Sequence, residues 1–119
     1  MFEPEFSLQF IKVREPHGAG AEVQNGEPPL LILLHGVGSN EQDLARYAGH
    51  FDSRFLIVSV QAPFRLAENS FAWFQPVIAA EEAEASRCLL IKFVDNAAKR
   101  FGIASRIFLL GFSQARLWL

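Results

Sequence analysis

The stretch Ile107-Phe108-Leu109-Leu110-Gly111-Phe112-Ser113-Gln114-Ala115 decides how the chain is read. Four apolar residues predict a buried strand, and the glycine after them predicts a sharp turn that carries a serine. Strand, turn and serine in this order have the form of a nucleophile elbow, in which a tight turn projects Oγ above the end of a sheet. A serine hydroxyl is a weak nucleophile alone. The turn carries chemistry only if a base can take its proton and free backbone N–H groups can receive an oxyanion. The last small residue of the pattern is Ala115 where glycine is usual, which adds one methyl where strand and helix cross closely.

Working back from the elbow, residues 81–100 are rich in helix formers. Leu90, Val94, Ala97 and Phe101 fall on one face, and Glu82, Glu84, Lys92, Lys99 and Arg100 on the other. Acids lead and bases finish, as the helix dipole favours, and Gly102 supplies the stop. Cys88, the single cysteine, has no partner for a disulfide or metal site in its neighbourhood and reads as a small core residue. Before this helix, residues 64–76 lose any period but keep Phe64, Phe71, Trp73 and Phe74, which predicts a long aromatic loop.

Leu30-Leu31-Ile32-Leu33-Leu34 is a continuous apolar run between prolines and a glycine, the pattern of a strand covered on both faces. It leads into His35-Gly36-Val37-Gly38-Ser39-Asn40, whose glycines let a backbone N–H approach a ligand, with His35 expected to fix the loop by hydrogen bonding. Ser39 or Asn40 is expected to cap a helix over residues 41–48. Gly36-Val37-Gly38 lacks both the lysine of a phosphate loop and the third glycine of a dinucleotide fingerprint, so nucleotide binding is set aside. Phe55 to Val60 reads as a further strand stopped by Pro63, and Phe6 to Val13 as an edge strand with one wet face. Residues 15–29 collect prolines and glycines, with Asn25-Gly26 a tight turn. Alternating strands and helices predict one α/β domain over residues 1–119, its sheet mostly parallel and flanked by helices.

Composition narrows the partners. The chain has 119 residues, 50% hydrophobic against 20% charged, which suits a soluble globular domain and neither disorder nor a membrane span. A formal charge of -2 without a basic cluster argues against nucleic acid, and an acidic start without an apolar leader segment points to the cytoplasm. No metal-ligand spacing is present.

Leu33-Leu34-His35-Gly36-Val37-Gly38, then Gln61-Ala62-Pro63, Trp73-Phe74 and Gly111-Phe112-Ser113-Gln114, resemble in kind and order the motifs of the phospholipase/carboxylesterase family of α/β hydrolases. The resemblance runs from about Leu30 to Gln114 and implies the N-terminal part of one α/β-hydrolase domain. It implies Ser113 as nucleophile, the N–H groups of Val37 and Gln114 as oxyanion hole, and Trp73 and Phe74 near the acyl or alcohol group of a small ester or thioester. It implies an acyl-enzyme without metal or organic cofactor.

The resemblance stops after Gln114. The family continues with a glycine, an apolar helix, an aspartate and a histidine, whereas residues 115–119 read Ala-Arg-Leu-Trp-Leu. The triad Asp and His are absent, and His17, His35, His50, Asp43, Asp52 and Asp95 have no evident reason to converge on Ser113. If residues 115–119 are encoded GCG CGA TTA TGG CTN, one G restored before the first codon reads Gly-Ala-Ile-Met-Ala, a family-like continuation. The expectation is a frame lost just beyond the elbow and a chain inactive alone. Its serine strand would be an exposed apolar edge open to self-association. The other expectations are a non-catalytic interaction fragment and half of a split hydrolase completed by another chain.

Overall fold

The computed structural model describes residues 6–17, 28–74, 79–102 and 106–112. Six strands are present among them: β1 (Phe10–Arg14), β2 (Leu30–Leu34), β3 (Leu56–Val60), β4 (Phe64–Ala67), β5 (Ser70–Ala72) and β6 (Ile107–Gly111). One long helix, α1 (Ala79–Phe101), and a 3-10 helix over Ala45–His50 complete the elements. The main sheet has the order β1-β3-β2-β6, with β2 parallel to both β3 and β6 and β1 antiparallel at the edge.

The five residues of β2 are all buried, as are those of β3. Strand pleating sends their side chains alternately to two cores. Leu30, Ile32, Leu34, Leu56, Val58 and Val60 meet Leu90, Phe93 and Ala97 of α1, while Leu31, Leu33 and Ile57 meet Leu44 and half-buried Phe51 and Phe55 on the other face. A continuous apolar run is therefore what this position demands. Phe6, Phe10 and Phe93 close the α1 side, with ring centroids 4.7 Å (Phe6–Phe10) and 5.2 Å (Phe6–Phe93) apart.

Several expectations are corrected. The first ladder begins at Phe10 and not at Phe6, because Phe10 lies opposite Val60, where β3 ends. Residues 41–48 are not an α-helix: they form turns and the start of the 3-10 helix, closed by i to i−3 bonds such as Tyr47 N–H to Leu44 O at 3.0 Å. Ser39 cannot act as a free cap, since its backbone bridges to Phe71, and so short a segment gains little from α-helical propagation. Asn40 instead accepts the Gln42 N–H on Oδ1 at 2.9 Å, holding the first turn.

The aromatic segment is a two-stranded hairpin, β4 against β5, turning through Glu68 and Asn69, the latter at φ 58°. On α1 the buried line runs Glu82, Ser86, Leu90, Phe93 and Ala97, so Glu82 joins the inner face and Val94 is only partly covered. Cys88 falls between those positions and is exposed. Gly102, at φ +68°, ends the helix as expected. The Asn25-Gly26 turn lies outside the described residues.

Candidate active site

Crossing from β2 to β3 moves one way along the sheet with the 3-10 helix on one face. The chain then returns past β2 to β6 with α1 on the other face. The two crossover connections therefore lie on opposite faces of the sheet, and the second sets β6 directly beside β2. Leu34 pairs with Gly111 there, and the Phe112 N–H donates to Leu34 O at 3.1 Å. The strand that leads to Ser113 thus finishes beside the start of the glycine loop. Ser113 and Gln114 themselves lie outside the described residues.

The loop after β2 is held by three neighbours. His35 is completely buried, with Nδ1 2.7 Å from Gly36 O and Nε2 3.0 Å from the Ala62 N–H. A carbonyl can only accept and a peptide N–H can only donate, so the ring is the neutral tautomer with the proton on Nδ1. Burial pushes its pKa below the ordinary histidine value, against weaker upward pulls from the Gly36 carbonyl, Glu41 and Asp43. The indole N–H of Trp73, fully buried, donates to His35 O at 2.7 Å, and Ser86 of α1 donates to Trp73 O at 2.5 Å.

The hairpin holds the loop's far side. Gly38 N–H donates to Phe71 O and Phe71 N–H to Ser39 O, each at 2.8 Å. Ser70 Oγ donates to Gly38 O at 3.0 Å, and Asn40 Nδ2 to Asn69 O at 2.9 Å. Gly38 adopts φ +80°, which L side chains rarely reach, so glycine is required at that bend. Between these anchors the Val37 N–H has no hydrogen-bond partner among the described residues, and the Val37 side chain is 46% exposed.

Val37 and Phe112 line a cavity of about 680 Å³ with Leu33, Leu44, Leu110 and Phe51, and Asp43, Arg46, Tyr47 and His50 border it. Asp43 pairs with Arg46 at 3.4 Å, and among the described residues no hydrogen bond joins an aspartate to a histidine. His17, whose N–H donates to Ser53 O, follows β1 and lies toward the opposite end of the sheet. Phe74 is half buried and packs against the α1-side core. Among the described residues no group of three or more His, Cys, Asp or Glu gathers to hold a metal, and no helix is long and apolar enough to cross a membrane.

Sequence reasoning identified the glycine loop and the end of β6 and expected His35 to hold the loop. It missed the hairpin's part. Asn69-Ser70 is a weaker turn signal than Asn-Gly, and the partner of the hairpin edge is a loop with no strand pattern of its own.

This architecture is part of an α/β-hydrolase fold, a mostly parallel sheet with helices on both faces. It is similar to the crystal structure of esterase PE8, with a TM-score of 0.66 and 23% identity over 92% of this chain and 53% of that one. It is similar also to the carboxylesterase from Mesorhizobium loti, with a TM-score of 0.69 and 23% identity over 92% of this chain and 51% of that one. The chain spans about half the length of each of these structures, and at this identity the likeness is one of fold. No protein-family model matches the sequence, and no curated protein matches it.

Proposed function

We propose that the chain is the N-terminal part of a serine hydrolase that cleaves a carboxylic ester or thioester through an acyl-enzyme on Ser113. The observation that carries this reading is the pairing of Leu34 with Gly111, which brings the end of β6 against the loop whose Val37 N–H has no hydrogen-bond partner among the described residues. The first residue beyond the described part of that strand is Ser113. Its Oγ would attack the acyl carbon, and the N–H groups of Val37 and Gln114 would receive the developing oxyanion, which such donors stabilise most when they are fixed beforehand. Trp73 and Phe74 would lie near the acyl or alcohol group, Trp73 from beneath the loop. The triad aspartate and histidine would come from sequence beyond these 119 residues, so the chain alone would turn over little substrate. Neither metal nor organic cofactor enters the scheme, and the compartment is the cytoplasm.

A fluorophosphonate probe tests this, because it reacts with an activated serine and marks the residue. Labelling at Ser113, lost in Ser113→Ala, supports the reading for the chain as it stands. Labelling of Ser113 only after a second polypeptide carrying an Asp and a His is added supports the split form. Labelling elsewhere, or none under either condition, overturns it. Phe108 at 50%, Leu109 at 38% and Phe112 at 46% exposure favour the second reading, an interaction fragment that pairs through β6.

A further inference from the structure

We infer that His35 is the positioning residue of the loop that carries Val37, acting as a two-sided clamp locked in one tautomer. The inference rests on the reading of Val37 as the oxyanion donor. Nδ1–H restrains the peptide immediately before Val37 by donating to Gly36 O at 2.7 Å, and Nε2 ties the same ring to the first turn after β3 through the Ala62 N–H at 3.0 Å. A third tie comes from behind, where Trp73 donates to His35 O and is itself held by Ser86 of α1. The ring stacks beside the indole, centroids 5.7 Å apart and planes inclined by 32°.

This arrangement gives the ring a directional task. A protonated ring would set an Nε2–H against the Ala62 N–H, and the other neutral tautomer would lose both bonds at once. Either change leaves buried polar groups unsatisfied, which costs more than an ordinary hydrogen bond returns. The loop between Gly36 and Gly38 therefore keeps one backbone path, with the Val37 N–H presented, as long as the tautomer holds. Of the titratable groups near the ring, the carboxylates of Glu41 and Asp43 act on it electrostatically. Gln61 Nε2 draws off the Glu41 carboxylate at 3.1 Å and Arg46 that of Asp43.

The test uses the 119-residue chain and NMR. In the wild type, ring nitrogen shifts are expected to show a protonated Nδ1 and a bare Nε2, which requires no variant to fold. A protonated Nε2, or rapid averaging of tautomers, overturns the inference. Two substitutions then separate the bonds: His35→Asn can keep a donor toward Gly36 O, and His35→Gln can keep an acceptor toward Ala62. Exchange of the Ala62 N–H should quicken about tenfold in His35→Asn and recover in His35→Gln, as expected for one buried hydrogen bond. Shift changes at Val37 and Gly38 should be largest where the Gly36 bond is lost. Equal acceleration along β2 and β3 in both variants would mean that His35 only fills space. None of these readouts depends on ester chemistry. A clamp that behaves as described, in a chain whose Ser113 resists the fluorophosphonate both alone and with the second polypeptide added, would overturn the hydrolase reading and leave the clamp standing.

Discussion

At the scale of single residues, Arg14 does more than its place at the end of an edge strand suggests. Its Nη1 donates to Ala48 O at 2.7 Å and to Phe51 O at 3.1 Å, and its Nη2 donates to Asp52 O and to Phe55 O. One planar cation thus gathers the carbonyls that leave the 3-10 helix and enter β3. Bonds with a charged donor each contribute about 1.5–3 kcal/mol in favourable settings, and the partly wet position here lowers the total. Arg14→Met is expected to lower unfolding free energy by about 2 kcal/mol in urea titration, and Arg14→Lys to recover little, since an ammonium cannot span that set of oxygens. His35 predicts a pH effect. Its folded pKa is lowered by burial, so below about 6.5 the unfolded chain binds the extra proton and the folded chain resists it. The stability it contributes is complete above that pH and declines as pH falls toward the folded value. Urea midpoints compared above and below it should show the decline, and His35→Gln should remove this part of it.

At the scale of elements, the hairpin β4–β5 is the piece whose integrity the glycine loop depends on. Asn69 sits in the left-handed region at φ 58°, where a β-branched residue costs about 1–2 kcal/mol. Asn69→Val is expected to speed exchange of the Phe71 and Gly38 amides about tenfold, while Asn69→Gly leaves them near wild type. Equal rates in both would show that the turn does not govern the hairpin. The strands of the main sheet were readable because burial on both faces forces an unbroken apolar run, as in Leu30–Leu34. Where one element leans on another, the pattern fails. The face of α1 was set by which residues meet Phe6 and Phe10, so Phe93 took the place that spacing assigned to Val94, and Glu82 turned inward. Glu41 to Ala48 has the composition of an α-helix but forms turns and the start of the 3-10 helix, with the Ser39 backbone engaged by Phe71. For the candidate site, the glycine loop and the role of His35 could be read from residue types. Its anchors Ala62, Phe71 and Ser70 could not, since they are backbone contacts or distant in sequence.

At the scale of the whole molecule, the two ends of the sheet are unequal. β1 is twisted by a register shift between Lys12 and Arg14 and carries charges, features that discourage further pairing. β6 has neither among the described residues, and leaves Phe108 and Leu109 largely open. Concentration-dependent association is therefore expected in sedimentation velocity. Leu109→Lys should shift the chain toward monomer with its far-UV circular dichroism intact, whereas Lys12→Leu at the other edge should not. Persistence of the assembly in Leu109→Lys would exclude β6 as its seam. The pairing of Leu30 with Ile107 has one more consequence, for the order of events in time. β2 and β3 are joined by a modest excursion, but β6 reaches β2 only after the hairpin and the whole of α1 have been made, so its loop closure is the most demanding in the sheet. On a ribosome the first three strands can zip while α1 is still emerging, and the cavity beside Val37 acquires its second wall last.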